Sequence, residues 1–289
     1  MAGARERIAL VTDSTSDLPA EIAQGNGILQ VPLGITLGEQ TFVDGVDITK
    51  EIFYERLGSD GVTATTSRPT PLDFLGAYRQ AEAAGAREIV VVTLSAALSG
   101  TYESALAAAE QVQVPVRVMD SRSVSMGLGL QVLAAEAARR DGGDASDMIA
   151  AADRIRRRLR IFFAVKSLAY LHRGGRIGGG SRFLGDMLHL KPVLMLDGET
   201  GRVDAVERAR TWKRAMKRIY ELTTEGIEPG RRVGAWVMHA AAPDDAAALA
   251  ERVTHEYAPA TMGMGLLSVA LGAHAGPGTV GMGMYLDED

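Results

Sequence analysis

An alternation of strands and helices in the first half of the chain limits the fold more than any other feature. The segment from Glu88 to Leu94 is a continuous apolar run with three valines, typical of a strand buried on both faces of a parallel sheet. Loops, helical segments and further short strands follow one another on both sides of it. Helices are predicted to start near Asp17 and Thr70, where a capping side chain stands close to a proline. This repeated order predicts an α/β fold with a doubly wound, mostly parallel sheet.

The rhythm of the sequence changes near residue 150. Extended segments replace the alternation, and an antiparallel hairpin is predicted around the turn Asp197-Gly198. Another strand is predicted over residues 266–272. We therefore predict two domains: an N-terminal α/β domain over residues 1–158, and a C-terminal α+β domain with a mixed or antiparallel sheet over residues 159–289.

Composition and charge exclude several function classes. The 289 residues carry a net charge of -5, which argues against a nucleic-acid-binding protein. The absence of cysteine excludes disulfides, thiolate catalysis and cysteine-ligated metals. No apolar run has the length of a signal peptide or a membrane span, and the first six residues are small or charged. We expect a cytoplasmic protein without a targeting segment or stable membrane insertion.

The loops of the predicted sheet are rich in hydroxyl groups and glycine. Ser99, Gly100 and Thr101 stand at the start of a helix, whose free amides favour a bound anion. Gly100 would let the backbone approach a ligand closely. Thr66 and Ser67 precede the helix before it and could add donors from a neighbouring loop. The alternative, that these residues only cap helices and form turns, stays open at this point.

Enzyme motifs such as a phosphate-binding loop, a zinc-protease helix motif or a nucleophile elbow are absent from the sequence. Asp13 and Asp120 each follow a predicted strand, and His274 lies in a glycine-rich segment. Together they leave a hydrolase or phosphotransferase as an alternative function. The simpler interpretation is that both aspartates hold turns or caps. We expect no metal and no cofactor.

The same segments closely resemble the motifs of the DegV family of bacterial fatty-acid-binding proteins. The resemblance extends from about residue 7 to residue 285, and its motifs occur in the family's order. They are residues 11–19 (VTDSTSDLP), 66–69 (TSRP), 94–95 (LS), 98–102 (LSGTY), 120–121 (DS), 171–177 (LHRGGRI), 191–194 (KPVL) and 274–278 (HAGPG).

The resemblance implies a two-domain protein that holds one long-chain fatty acid in a buried apolar tunnel and has no catalytic residues. It implies that the hydroxyls of Thr66 and Ser99 hold the carboxylate. The ligand-binding residues predicted on this basis are Thr66, Ser67, Ser99, Gly100, Thr101 and His274. Neutral donors of this kind could hold the carboxylate without a fixed cation.

Two positions depart from the family pattern. Ala96 follows Ser95 where the family often has a second serine, and Arg68 stands where glutamine is common. These changes could alter the hydrogen bonds of the head group but spare Thr66 and Ser99.

The resemblance also implies a protein partner, a separate fatty acid kinase. That kinase uses ATP to form an acyl-phosphate on the bound lipid, a precursor for phospholipid synthesis. Arg173 lies in a glycine-flanked loop, and we predict that Arg173 and Arg202 contact the kinase. Two basic segments, residues 154–160 and 202–218, suit an acidic partner, although a solvated helix face is the preferred interpretation of the first one.

Overall fold

Three β-sheets organise the part of the chain that the computed structural model describes, which is residues 8–59, 62–177 and 190–287. The first six residues, where no targeting segment is expected, lie outside it. The strands are β1 (Ile8–Asp13), β2 (Ile28–Val31), β3 (Gly34–Leu37), β4 (Gln40–Val43), β5 (Ala64–Ser67), β6 (Glu88–Thr93), β7 (Val116–Asp120), β8 (Arg160–Ala164), β9 (Lys191–Leu196), β10 (Val203–Ala209), β11 (Val233–His239), β12 (Thr261–Leu266) and β13 (Val280–Leu286). The helices are α1 (Ala20–Gly25), α2 (Lys50–Leu57), α3 (Pro71–Ala83), α4 (Thr101–Ala109), α5 (Met126–Arg140), α6 (Ala145–Arg158), α7 (Ala169–Gly174), α8 (Trp212–Thr224), α9 (Pro243–Tyr257) and α10 (Val269–Ala275).

The first sheet is parallel and has the strand order β2-β1-β6-β7. Its central strand β6 is covered on both faces, because Ile89 and Val91 pack among residues of α3 and α4 while Val90 and Val92 pack among residues of α5 and α6. This confirms the predicted α/β class and the doubly wound sheet. The strand order reverses between β1 and β6, which is where ligands bind in sheets of this kind.

The helix starts agree with the prediction in one case and differ in the other. Thr70 caps α3 in a reciprocal capping box with Asp73, and Pro71 is the first helical residue. Asp17, in contrast, does not cap α1. It has a left-handed backbone with φ of 54° and its carboxylate is buried. The carboxylate accepts hydrogen bonds from the Ser125 hydroxyl and the Ser268 amide, which lie far along the chain.

A small antiparallel sheet, β4-β3-β5, stands beside the parallel sheet. Strands β3 and β4 form a hairpin that turns at Gly38 and Glu39. Thr66 and Ser67 lie in β5, not in a loop before a helix as expected. Because neighbouring residues of a strand point to opposite faces, Thr66 and Ser67 cannot serve the same pocket.

The second large sheet is mixed, with the order β10-β9-β8-β13-β11-β12. Neighbouring strands within this sheet are antiparallel, except that β11 and β12 are parallel. One face packs against α8 and α9 through residues such as Phe162, Val237 and Met282. The α+β character predicted for this half of the chain is confirmed, including the hairpin of β9 and β10.

The strand predicted over residues 266–272 is wrong. Strand β12 ends at Leu266, and α10 begins at Val269. Ser268 caps this helix by accepting a hydrogen bond from the Leu271 amide, at 3.4 Å. Two carboxylates complete the cap: the Ser268 amide donates to Asp17 at 2.7 Å and the Val269 amide donates to Asp44 at 3.3 Å. These long-range partners stabilise a helix that local apolar content does not reveal.

The chain passes from one large sheet to the other between α6, which ends at Arg158, and β8, which begins at Arg160. One buried cluster nevertheless contains residues of both halves, among them Leu128 of α5, Met238 of β11 and Ala270 of α10. The division into domains over residues 1–158 and 159–289 therefore stays a prediction. What the structure establishes is a shared apolar core between the two large sheets.

Candidate ligand-binding site

A cavity of about 160 Å³ lies between the carboxyl end of the parallel sheet and the free face of the mixed sheet. Most of the lining is apolar and comes from both halves of the chain. The apolar lining residues are Leu33, Leu94, Leu98, Val124, Met126, Leu130, Leu159, Ile161, Phe163, Leu171, Leu196, Val203, Trp236, Met238, Leu267, Ala270, Leu271, Ala275 and Met282.

Among the polar lining residues, Thr66, Ser99, Arg176 and His274 form one group, and Thr15, Ser125 and Thr279 also line the cavity. The Thr66 hydroxyl lies 2.8 Å from Nε2 of His274, which is on α10. Arg176 follows α7 and donates from Nε to the Leu98 carbonyl at 3.0 Å, so it lies against the loop that carries Ser99. We call these four residues the polar end of the cavity. The sequence predicted three of them.

The loop before α4 contributes Ser99 to this polar end. The Ser99 and Thr101 hydroxyls are 2.9 Å apart, and Thr101 is buried. Gly100 caps α4 and does not line the cavity. A Cβ at Gly100 would meet the Arg68 guanidinium at 1.8 Å, and that guanidinium donates to the Gly100 carbonyl. Gly100 therefore makes room for Arg68. The close approach to a ligand that we expected at Gly100 stays a prediction.

Ser67 is not among the lining residues either, in keeping with its opposite orientation on β5. A Cβ at Gly34 on the neighbouring strand would stand 2.3 Å from the Ser67 hydroxyl, so this side chain lies over Gly34. The structure thus gathers Thr66, Ser99 and His274 at the cavity, keeps Thr101 one hydrogen bond behind Ser99, and leaves Ser67 and Gly100 outside.

His274 is held in a neutral state by its surroundings. Burial, together with the nearby positive charge of Arg176, lowers the pKa of His274 to about 4. Nδ1 is buried and has no hydrogen-bond partner among the described residues. A Cβ at Gly174 would lie 2.2 Å from this nitrogen, so the ring packs directly on the backbone of α7. A neutral imidazole has one donor and one acceptor nitrogen, and Thr66 bonds to Nε2 in either tautomer.

Arg176 is the polar residue that the sequence analysis missed. The Arg-Gly-Gly-Arg segment was visible in the sequence, but only its first arginine received a role there. Arg176 also donates to the Gly174 carbonyl, which turns its guanidinium back over α7. The neutral donors are therefore joined by a cation, because Arg176 also lines the cavity.

Arg173 and Arg202, the predicted partner contacts, are exposed and do not line the cavity. The Arg173 guanidinium lies 5.7 Å from the centre of the Tyr170 ring. Arg202 follows the turn of the β9–β10 hairpin. Both positions are open to a second protein.

Asp13 and Asp120 hold loops and lie outside the cavity. Asp13 is fully buried and accepts hydrogen bonds from the amides of Thr15, at 3.0 Å, and Leu94, at 2.7 Å. Burial raises the pKa of Asp13 to about 6. Asp120 accepts from the amides of Ala96 and Arg122 at 3.1 and 2.9 Å. The structure does not bring these carboxylates together with His274, so a catalytic group of the three is not formed.

Among the described residues, no cluster of three or more histidine or acidic side chains could hold a metal ion. Within the same residues, no helix is long and apolar enough to cross a membrane.

The fold and the cavity define a class: an α/β protein with two large sheets that enclose an apolar pocket with one polar end. The sequence model described as "Uncharacterised protein, DegV family" matches residues 7–287. The chain belongs to the DegV family. It is 38% identical to a DegV domain-containing protein of Streptomyces coelicolor over 95% of this chain and 97% of that protein. It is 31% identical to Protein DegV of Bacillus subtilis, covering 95% of this chain and 98% of that one.

Solved structures of the family have the same fold. A DegV family protein from Thermus thermophilus, described by its fatty acid binding, superposes with a TM-score of 0.88 and 36% identity over 97% of this chain and 99% of that one. DegV of Bacillus subtilis, described as a fatty acid binding protein, superposes with a TM-score of 0.89 and 29% identity over the same shares of the two chains. Family membership and fold are confirmed by these similarities.

Proposed function

We propose that this protein binds one long-chain fatty acid, with the acyl chain in the apolar cavity and the carboxylate at the polar end. The observation that carries the proposal is the grouping of Thr66, Ser99, Arg176 and His274 at one part of a mostly apolar cavity. The fatty acid binding described for the relatives from Thermus thermophilus and Bacillus subtilis supports it.

The apolar wall supplies most of the binding free energy in this proposal. Burying one methylene group is worth about 0.8 kcal/mol, so an acyl chain of roughly sixteen carbons contributes on the order of 10 kcal/mol before the costs of ordering are subtracted. The lining of leucine, isoleucine, phenylalanine and methionine side chains offers that apolar contact. Methionines such as Met126 and Met238 adapt to flexible ligands.

The polar end supplies partners for the carboxylate, which are needed because burying a carboxylate without partners is very unfavourable. The Thr66 and Ser99 hydroxyls can donate to it, and the Arg176 guanidinium supplies an opposite charge. A neutral His274 that carries its proton on Nε2 can donate to the Thr66 oxygen, which leaves the single hydroxyl hydrogen of Thr66 free to donate to the carboxylate.

A carrier without its own catalysis fits this site better than a hydrolase or phosphotransferase. The two aspartates of the alternative, Asp13 and Asp120, are engaged by backbone amides and do not line the cavity. His274 is left at the cavity with a hydroxyl but without a carboxylate to orient it among its described partners. A general base would need such support to activate a nucleophile.

Mass spectrometry of the lipid that copurifies with the protein tests the proposal. We expect the parent to retain fatty acid and the double variant Thr66→Ala, Ser99→Ala to retain at most a small fraction of it. Thr65→Ala is the matched control, because Thr65 is exposed and neighbours Thr66 on β5. A double variant that binds fatty acid as tightly as the parent would contradict the assignment, and turnover of an acyl ester by the parent alone would favour the hydrolase.

We also propose that the protein presents the bound carboxylate to a separate ATP-dependent fatty acid kinase in the cytoplasm. The polar end must then open towards that partner, and exposed arginines near it are suited to dock an acidic surface. Arg173 lies in the last turn of α7, three residues before Arg176 of the polar end, and both Arg173 and Arg202 are exposed.

Reconstituted acyl-phosphate synthesis tests the docking role. Arg173→Glu and Arg202→Glu should leave fatty acid binding intact and slow acyl-phosphate formation, most strongly at low salt. Arg79→Glu on the exposed side of α3 is the control with the same charge change. If Arg173→Glu supports synthesis at the parent rate, the kinase docks elsewhere.

A further inference from the structure

Strand β13 lies at the centre of the mixed sheet, yet its cavity face carries glycines at two alternate positions, Gly281 and Gly283. The residues between and after them, Met282 and Met284, point to the opposite face and are buried against α8 and α9. Glycine weakens the interior of a strand and often marks a close approach by a ligand or another backbone. The presence of two glycines in this central strand therefore calls for a structural explanation on the cavity face of β13.

Larger side chains flank both glycines in register. Gly281 pairs with Met238 on one side and Phe163 on the other, while Gly283 pairs with Trp236 and Ile161. All six residues line the cavity. The glycines thus form the floor of a trough along β13, and the walls are the side chains of β11 and β8.

The neighbouring strand β12 repeats the pattern and shows what its glycines are for. Gly263 pairs with Trp236 and Gly265 pairs with Met238. A Cβ at Gly263 would stand 2.0 Å from the indole of Trp236, and one at Gly265 would stand 3.1 Å from the Met238 side chain. The β12 glycines are therefore covered by Trp236 and Met238, which lie over β12.

The β13 glycines differ in this respect. A Cβ at Gly283 would have its nearest neighbour, Leu159, at 3.5 Å and Ile161 at 3.6 Å, which are ordinary contacts. At Gly281 the nearest neighbour would be the Phe163 Cβ at 3.0 Å. No described side chain occupies the floor at Gly283 in the way that Trp236 occupies Gly263.

The trough leads away from the polar end. Thr279, just before β13, donates its hydroxyl to the Ala275 carbonyl at 2.9 Å, which places the start of the strand beside the end of α10 and His274. Each further residue advances about 3.4 Å along the strand, so Gly283 lies roughly 7 Å beyond Gly281. Gly281 is the nearer of the two to the head group and Gly283 the nearer to the tail.

We propose that the acyl chain lies in this trough, and that Gly283 sets the greatest chain length that the cavity accepts. The inference rests on the proposed function and adds the path of the ligand. A side chain at position 283 would occupy the space of the ligand's last carbons while leaving the protein's own contacts undisturbed. Each methylene that is excluded weakens binding about fourfold.

The test measures the dissociation constants of a saturated series from lauric to stearic acid for delipidated parent, Gly283→Ala and Gly283→Val. We expect the chain length that binds most tightly to become shorter in the order parent, Ala, Val, while the shortest acids bind all three alike. Gly76→Ala in α3, where a Cβ has open space, is the control and should keep the parent's profile. The melting temperature of delipidated Gly283→Ala should not fall, because alanine is better than glycine in a strand.

The outcomes separate the two proposals. An unchanged chain-length profile in a folded Gly283→Val would overturn the trough while leaving fatty acid binding standing. A parent that binds no member of the series would overturn the proposed function itself. If Gly283→Val does not fold, the Gly283→Ala profile decides, since its Cβ meets only ordinary contacts.

Discussion

At the scale of single residues, the polar end of the cavity joins side chains from four segments that are distant along the chain: β5, the loop before α4, the residues after α7, and α10. Thr66, Ser99 and His274 belong to short motifs and were predicted, and the structure places all three on the cavity. Arg176 was missed because its role depends on where α7 packs, against the loop of Leu98. The contact between Gly100 and Arg68 was not visible for the same reason, since Arg68 is distant along the chain.

The pKa of His274 gives a prediction at this scale. The folded pKa of about 4 lies below the ordinary value of 6.5, because burial disfavours the charged ring. A depressed histidine pKa adds stability that is complete above about pH 6.5 and is lost as the pH falls towards 4. The free energy of unfolding of the parent minus that of His274→Gln should therefore fall by up to about 3 kcal/mol over this range.

Urea unfolding of the delipidated proteins at a series of pH values measures this difference. His255→Gln on the exposed face of α9 is the matched control. A difference between parent and His274→Gln that stays constant with pH would mean that the folded protein does not hold the ring neutral.

At the scale of elements, segments with strong periodic or capping signals were predicted well and α10 was not. The valine run of β6 and the capping box of α3 each depend only on residues that are close together in the sequence. Helix α10 has only seven residues, and its start is held by Asp17 and Asp44 from the other half of the chain. When these distant partners are not known, a short apolar segment in the sequence is equally consistent with a strand.

Asp17 should therefore be more important for stability than an exposed aspartate. It accepts from the Ser268 amide and from the Ser125 hydroxyl, and its backbone is left-handed. Asp17→Ala leaves the buried Ser268 amide without its acceptor and forces alanine into a left-handed backbone conformation. We therefore expect the free energy of unfolding to fall by about 3 kcal/mol. Asp17→Asn keeps an oxygen and tolerates the backbone, and it should cost less.

Chemical denaturation of these variants against Asp47→Ala measures the effect. Asp47 is exposed and accepts one hydrogen bond from the Val43 amide, so its loss should cost about 1 kcal/mol or less. Equal losses for Asp17→Ala and Asp47→Ala would show that α10 does not depend on the buried carboxylate.

At the scale of the whole molecule, the sequence predicted two sheets of different kinds but not how they are joined. The joining depends on contacts between distant segments, such as the tip of the β9–β10 hairpin. There the Gly201 carbonyl accepts from the Ser95 hydroxyl at 2.7 Å, and the Glu199 carbonyl accepts from the Arg122 guanidinium at 2.7 Å. The Gly198 carbonyl accepts from Arg156 at 2.6 Å. Together with the shared apolar cluster, these bonds indicate that the halves unfold together.

Cooperative unfolding and its dependence on ligand form the last prediction. The chain has two tryptophans, and Trp236 lines the cavity whereas Trp212 stacks under Lys166 on the other side of the sheet. In a Trp212→Phe variant, Trp236 emission reports on the cavity, and far-ultraviolet circular dichroism follows the helices of both halves. The two transitions should coincide because the cavity wall and core are shared. Free fatty acid at about a hundred times its dissociation constant should raise the free energy of unfolding by about 2.7 kcal/mol in both signals. Two separate transitions, only one of which responds to fatty acid, would mean that the halves are independent and that the ligand is held by one of them alone.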